Sequence, residues 1–207
     1  MLEKNDTEQL GNLYQEYYHN DGIHWQVMES FRWIAKVLVD SFHPIRSIDM
    51  GCSGGGLVRA LEELGVNAIG VDGSPAAVGR TPGKILLHDL RCAQSIPWNA
   101  GIYDLVTCCD VLEHIEQEYD DVACSHIVGA MAPGATGVVG AATPGQGGLG
   151  HCNCQEPEYW IGKLTALGLL HDPDATERLK AGIMSNPAHA TAWWWHKNAV
   201  VYRKVAI

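Results

Sequence analysis

The amino-acid sequence predicts an α/β fold with a doubly wound, mostly parallel sheet. The main observation is a strand, a glycine-rich turn, a helix and a second strand in succession over residues 47–72. The first strand leads into the turn through Asp49, the second ends at Asp72, and leucines between them recur at helical spacing. Further apolar runs at 103–109 and 135–142 are separated by helical patterns, as is typical of parallel sheets. We expect a crevice for a nucleotide-like ligand where the carboxyl ends of these strands meet.

Helices are expected on both sides of these strands. Apolar residues at helical spacing predict a helix over residues 24–42, which ends before His43-Pro44. A second helix is predicted over residues 116–131, with Pro133-Gly134 separating it from the strand at 135–142.

The glycine turn is poorly suited to a phosphate ligand. A dinucleotide-binding fingerprint has glycine at its third position, whereas counting from Gly51 that position is Ser53. A P-loop is excluded because no Lys-Ser or Lys-Thr pair follows the glycines. The turn is flanked instead by Asp49 and Asp72, and residues 47–58 contain no lysine or arginine. These features suit a ligand with a positive charge and ribose hydroxyls.

The turn reads Asp49-Met50-Gly51-Cys52-Ser53-Gly54-Gly55. It resembles the glycine motif of the class I S-adenosylmethionine-dependent methyltransferases, with Ser53 in place of the middle glycine. The cofactor of that family, S-adenosylmethionine, carries a sulfonium charge and ribose hydroxyls. From the residues alone, an ordinary tight strand-to-helix turn remains the alternative.

The resemblance implies a Rossmann-like sheet of seven strands, mostly parallel, with an antiparallel last strand. We expect that last strand at residues 198–203. Asp72 is expected to accept hydrogen bonds from both ribose hydroxyls, and Asp49 and Gly51 are expected to lie near the methionine part of the cofactor. The implied cofactor contacts at the first two strand ends are Asp49, Gly51, Cys52, Ser53, Gly54, Asp72 and Gly73.

A third short strand, expected at residues 84–90, contains an acid near its end. In the resembled family an acid at this place meets the adenine amino group, and the next apolar residue packs on the adenine ring. The resemblance therefore implies cofactor contacts from Asp89 and Leu90. A carboxylate that accepts from an exocyclic amine is chemically reasonable, but Asp89 could equally cap the turn that follows.

Composition limits the function classes. The 207 residues fit one structural domain, with a cap segment and helix over residues 1–44 and a cofactor-binding part over residues 45–207. The net charge of −10, with 14 scattered lysines and arginines, disfavours nucleic acid as a partner. Seven cysteines without a regular framework favour reduced thiols. With no signal peptide and no 18-residue apolar run, we expect a cytoplasmic protein that does not span a membrane, and the sequence gives no indication of its oligomeric state.

Candidate catalytic residues follow two of the expected strands. Asp110, Glu113 and His114 come directly after the strand at 103–109, and His151 follows the strand at 135–142 and a glycine-rich loop. If these strands are neighbours, their carboxyl ends bring the four side chains to one rim. We expect His114 or His151 to act as general base, because the pKa of an imidazole lies close to working pH, with Glu113 beside them and Asp110 against the cofactor. Alternatively, Glu113 caps the next helix and His114 only packs beside the cofactor.

The same four residues also suggest a metal site. The pattern resembles the acid-x-x-Glu-His…His metal site of the small-RNA 2′-O-methyltransferases and, in part, the Glu-x-x-Glu-His site of the ubiquinone-pathway O-methyltransferases. This sequence departs from the pattern because Asp110 replaces a glutamate and no second histidine follows His114. We therefore expect no resident metal, with a divalent metal at these residues as the alternative.

The expected acceptor is a small hydroxylated molecule. His151-Cys152-Asn153 and the Pro157–Ile161 run resemble a loop of methyltransferases from surface-polysaccharide and natural-product gene sets, which favours O-methylation of a saccharide or natural product. The alternatives are metal-dependent 2′-O-methylation of an RNA end and S-adenosylmethionine binding without catalysis. The Trp193-Trp194-Trp195 run either forms an acceptor wall or packs in the core.

Overall fold

The computed structural model of the protein describes residues 21–81, 83–94, 96–186 and 193–206. Residues 1–20, which include most of the predicted cap segment, lie outside this description. The strands are β1 (Arg46–Met50), β2 (Asn67–Asp72), β3 (Ile85–Leu87), β4 (Tyr103–Cys109), β5 (Met131–Gly140), β6 (Leu169–His171) and β7 (Val200–Lys204). The helices are α1 (Asp21–Phe42), α2 (Gly56–Glu63), α3 (Pro75–Arg80), α4 (Asp120–Ala130), α5 (Pro157–Ala166), α6 (Pro173–Met184) and α7 (Trp193–Asn198).

The strands form one seven-stranded sheet in the order β3-β2-β1-β4-β5-β7-β6. The pairs β1–β2, β2–β3, β1–β4 and β4–β5 are parallel, whereas β7 pairs antiparallel with both β5 and β6. The predicted sheet is thus confirmed, including its antiparallel last strand. The strand order reverses direction between β1 and β4, and a crevice at their carboxyl ends is the usual ligand site of such sheets.

Helices cover both faces of the sheet. On one face α1, α2, α6 and α7 pack in a core that includes Leu105 of β4, and on the other face α4 and α5 pack in a core that includes Val106. Neighbouring β4 residues enter opposite cores because side chains alternate along a strand. Trp195 of α7 is 5% exposed in the first core, with Trp194 partly buried against it. For Trp195 the packing interpretation is therefore right and the acceptor wall is wrong.

Two predicted boundaries are wrong around β5. The helix expected over residues 116–131 is a 3-10 turn at Gln117–Tyr119 followed by α4, and β5 already begins at Met131. Met131 pairs with Tyr103, and the register shifts between Tyr103 and Leu105. Gly134 has a φ of 77°, so Pro133-Gly134 lies at an irregularity within β5 rather than between two elements.

All seven cysteines lie in the described part of the chain and are free thiols, as their irregular spacing predicted. None of the described helices combines the length and apolar character needed to cross a membrane.

Candidate active site

The turn after β1 begins from a buried acid. Asp49 is 8% exposed, and its carboxylate accepts a 2.6 Å hydrogen bond from the hydroxyl of Thr107. Thr107 lies opposite Asp49 in the pairing of β1 with β4. Burial raises the pKa of Asp49 to about 7, against the lowering effect of the Thr107 hydrogen bond, and the charge of Asp72 adds to the rise. The ionised form of Asp49 is therefore one that a nearby cation would stabilise.

The backbone conformation of the turn determines which residue types fit at positions 51 and 53. Gly51 has a φ of 74°, and a Cβ atom there would lie 2.4 Å from a methyl group of Val111. Only glycine fits at that position. Ser53 also has a positive φ, 50°, which costs a non-glycine residue about 1 kcal/mol. The glycine that the resembled motif carries at this place would avoid that strain.

Asp72, at the end of β2, closes the turn. One carboxylate oxygen accepts from the backbone N–H of Ser53 and the other from the N–H of Ser74, both at 2.8 Å. A carboxylate has about four acceptor positions, so two remain for hydroxyls. The side chain of Cys52 packs against Gly70, where an added Cβ would be 2.3 Å from its sulfur. Any contact of Cys52 with the cofactor must therefore involve its backbone.

Asp89 has a partner that the sequence did not predict. The site of an added Cβ on Gly73 lies 3.6 Å from Asp89 Cα, so these two strand ends adjoin. Asp89 accepts from the backbone N–H of Arg91 at 2.9 Å, which is the capping interaction considered above, and from the Arg91 guanidinium at 2.8 Å. Burial raises the pKa of Asp89, but the hydrogen bonds from Arg91 outweigh it and the net pKa is lowered. Leu90 is buried in the core, and its contact with adenine stays a prediction.

A second group of polar side chains lies beyond the ends of β4 and β5. Glu113, in the 3-10 turn Leu112–His114, is 1% exposed and accepts a 3.1 Å hydrogen bond from the backbone N–H of Ala142. Its other carboxylate oxygen is buried without a hydrogen bond. Burial raises the pKa of Glu113 to about 7, although backbone hydrogen bonds act in the opposite direction. The carboxylate thus binds Ala142 rather than capping a helix.

The two histidines meet beside Glu113. The rings of His114 and His151 are perpendicular, with centroids 4.8 Å apart, and one ligand atom from each of Glu113, His114 and His151 lies within 4.8 Å of the others. His151 Nδ1 lies 3.2 Å from the carbonyl oxygen of Gln146. Because a carbonyl only accepts, a neutral His151 ring that donates to this oxygen carries its proton on Nδ1 and its lone pair on Nε2, and the thiol of Cys154 lies 3.6 Å from the same Nδ1. The cluster therefore presents a potential base at Nε2 of His151.

His114 differs from His151 in its surroundings. Burial lowers the pKa of His114, as does the charge of His151, and these effects outweigh a hydrogen bond with the backbone of Gly150. His114 is therefore expected to be neutral near pH 7. A neutral imidazole has one ring nitrogen that donates a hydrogen bond and one that accepts a hydrogen bond.

Asp110 lies at the edge of this cluster. Its backbone has a φ of 57°, and its N–H donates to the carbonyl of Gly140 at 2.9 Å. Burial and the charge of Glu113 raise the pKa of Asp110 to about 7, while the amide of Asn198 and the charge of His151 lower it. Among the residues that the structure describes, the group with metal-ligand spacing is Glu113, His114 and His151, and Asp110 is outside it.

A protein-family model matches much of the chain. A model described as a methyltransferase domain matches residues 23–139, which is more than half of the chain. The chain belongs to the methyltransferase domain family. Its family and fold are those of the class I S-adenosylmethionine-dependent methyltransferases, as the glycine turn predicted.

Individual relatives agree with this assignment. The methyltransferase is 33% identical over 102 residues to the ubiquinone biosynthesis O-methyltransferase of Colwellia psychrerythraea, covering 43% of this chain and 39% of that relative. The corresponding protein of Burkholderia orbicola is 35% identical over 95 residues, covering 40% and 39%. The chain thus spans about two fifths of the length of these curated relatives. A S-adenosylmethionine-dependent methyltransferase from Archaeoglobus fulgidus shares the fold, with a TM-score of 0.62 at 17% identity over 86% of this chain and 94% of that one.

The described residues fit the cofactor of this methyltransferase. Gly51 adopts a left-handed conformation with the Val111 side chain packed against it, and Asp72 has acceptor positions left for ribose hydroxyls. Asp49 has a carboxylate whose ionisation a sulfonium charge would favour. Thr107, which holds Asp49, was missed in the sequence, although a hydroxyl within the apolar run of β4 was a visible signal.

Proposed function

We propose that this methyltransferase transfers the methyl group of S-adenosylmethionine to an oxygen of a small hydroxylated acceptor, such as a saccharide or natural product. The observation that supports this proposal is the cluster of Glu113, His114 and His151, with the lone pair of His151 Nε2 set by the carbonyl of Gln146. A neutral hydroxyl must lose its proton when it is methylated, so a positioned base is the feature that an oxygen acceptor needs.

One group of residues binds the cofactor, and a second group removes the proton from the acceptor. When bound, S-adenosylmethionine supplies an electrophilic methyl group. Asp72 would accept hydrogen bonds from the ribose hydroxyls, and the carboxylate of Asp49 would stabilise the positive charge of the methionine part. At the other strand ends, Nε2 of His151 accepts the proton of the acceptor hydroxyl as the new carbon–oxygen bond forms and the carbon–sulfur bond breaks. The carboxylate of Glu113, within 4.8 Å of the imidazoles, stabilises the resulting imidazolium, and S-adenosylhomocysteine is the second product.

The charge and the relatives support a small acceptor. The net charge of −10 is unfavourable for phosphate-rich partners, because nucleic-acid affinity depends largely on phosphate neutralisation. The curated relatives are named O-methyltransferases, which supports oxygen as the acceptor atom, although they match only part of this chain.

A metal-assisted reaction is the second candidate, favoured by the spacing of Glu113, His114 and His151. One carboxylate and two imidazoles suit Mn²⁺ or Zn²⁺, and such an ion would lower the pKa of an acceptor hydroxyl. The 2′-hydroxyl at an RNA end is the corresponding acceptor. Activity that is lost in EDTA and restored by Mn²⁺ would favour this candidate over base catalysis by His151.

The test compares wild-type protein with His151→Ala on a panel of saccharides and other hydroxylated compounds. We expect His151→Ala to bind S-adenosylmethionine within about twofold of wild type in calorimetry, and to form S-adenosylhomocysteine about 10²–10⁴-fold more slowly, as is typical when a general base is removed. His171→Ala is a suitable control because His171 lies in β6 against Tyr202. If wild type binds the cofactor but methylates no member of the panel, the result supports S-adenosylmethionine binding without catalysis and contradicts the proposal.

A further inference from the structure

The ring of His151 occupies the space where residue 148 would carry a side chain. A Cβ atom on Gly148 would lie 2.1 Å from Nε2, 2.3 Å from Cε1 and 2.5 Å from Cδ2 of His151. Gly148 does not have a φ in the left-handed region, so its backbone conformation does not by itself require glycine. Contact with the His151 ring is therefore the reason that the structure gives for glycine at this position.

The loop that carries His151 is anchored at both ends. The side-chain oxygen of Gln146 accepts from the backbone N–H of Thr143 at 2.6 Å, just beyond β5. After His151, the backbone N–H groups of Cys152 and Asn153 donate to the carbonyl of Glu113 at 2.9 and 3.0 Å. A loop fixed in this way holds the imidazole in one place relative to Glu113.

Gly150 has a similar relation to the second imidazole. It has a φ of 75°, and a Cβ atom there would lie 3.4 Å from Nδ1 of His114. Gly147 differs from both, because an added Cβ would have no atom within 4 Å. The abundance of glycine in this loop is therefore not explained by flexibility alone. At residue 148 the glycine is required by the ring.

We propose that Gly148 is a positioning residue that sets the place of the His151 imidazole and directs Nε2 to the acceptor. This inference rests on the proposed function, in which His151 is the base. A methyl group at residue 148 needs about 3.4 Å from Nε2 where only 2.1 Å is present, so the ring must move by more than 1 Å. The end of a side chain moves more readily than backbone, so the fold is retained. A misplacement of about 1 Å can reduce turnover about 10²-fold.

The test compares Gly148→Ala with the matched control Gly147→Ala. We expect both variants to keep the cofactor Kd and the thermal midpoint of wild type. Gly148→Ala is expected to lose about 10²-fold in kcat, and Gly147→Ala less than twofold. Nitrogen-15 NMR of the His151 ring gives a readout that needs no acceptor, because displacement from the Gln146 carbonyl changes the Nδ1 and Nε2 shifts in Gly148→Ala alone. Unchanged ring shifts or unchanged kcat in Gly148→Ala would overturn the inference.

A double-mutant cycle separates this inference from the proposed function. If His151→Ala keeps wild-type turnover, the proposed base role fails. If His151→Ala is inactive while Gly148→Ala is fully active, only the positioning role fails. We expect Gly148→Ala to cost nothing further in the His151→Ala background, because the ring with which it collides is gone. An equal loss in both backgrounds would indicate a general structural effect and overturn the positioning role.

Discussion

Replacing Asp49 with asparagine is expected to stabilise the protein without its cofactor at alkaline pH. The pKa of buried Asp49 is about 7 in the folded protein, against about 3.9 for an unfolded aspartate. Between these values the folded protein holds a proton that the unfolded chain has released, so the free energy of unfolding falls as pH rises from about 4 to 7. A difference of about 3 pH units, at 1.36 kcal/mol each, amounts to about 4 kcal/mol above pH 7.

Asparagine cannot ionise, and its side-chain oxygen can keep the hydrogen bond from Thr107. Its buried N–H₂ group needs a partner and costs about 1–2 kcal/mol, which leaves a net gain of about 2–3 kcal/mol at pH 8. Urea unfolding at pH 5 and pH 8 measures this gain, which is expected to shrink at pH 5. Asp40→Asn is the control, since Asp40 is 62% exposed beside Lys36. If Asp49→Asn is destabilised equally at both pH values, burial does not disfavour the charge of Asp49.

Three further predictions concern the turn and the cluster. Asp72→Ala is expected to weaken S-adenosylmethionine binding at least about 100-fold in calorimetry, because two hydrogen bonds to a charged acceptor, each contributing about 1.5–3 kcal/mol, are lost. An affinity within threefold of wild type would contradict the ribose role. Ser53→Gly is expected to raise the free energy of unfolding by about 1 kcal/mol, since residue 53 has a φ of 50°, and a fall in the thermal midpoint would argue against strain at that position. EDTA is expected to change methyl transfer by less than twofold, whereas loss of activity restored by Mn²⁺ would support the metal at Glu113, His114 and His151.

Local features of the fold were predictable from the sequence. The turn from Asp49 to Gly55 could be interpreted because its acids and glycines are close together in the chain. The meeting of His114 and His151 was also predictable, because both follow strands that the fold places side by side, and the carboxyl ends of parallel strands share one edge. The start of β5 was not predictable from the sequence. Pro133-Gly134 is a typical signal for the end of an element, but in the structure it lies at an irregularity within the strand.

Contacts that depend on the folded structure could not be predicted from the sequence. Thr107 is 58 residues from Asp49, and the hydrogen bond between them depends on the register of β1 with β4. Arg91 lies next but one to Asp89, but its binding to that carboxylate depends on burial of the guanidinium, which the sequence does not show. The contact of Gly148 with His151 depends on where one ring lies over one backbone atom, so no spacing rule predicts it.

Transfer of a methyl group to oxygen, with His151 as the base, can be measured directly by following the methyl carbon. The most direct measurement uses S-adenosylmethionine labelled with carbon-13 in its methyl group, a mixture of hydroxyl, amine and thiol acceptors, and carbon-13 NMR of the product. We expect a labelled methyl carbon bonded to oxygen with wild-type protein, and at least about 10²-fold slower formation of that product with His151→Ala. A labelled methyl carbon on nitrogen or sulfur would exclude O-methylation, and an equal rate with His151→Ala would exclude His151 as the base.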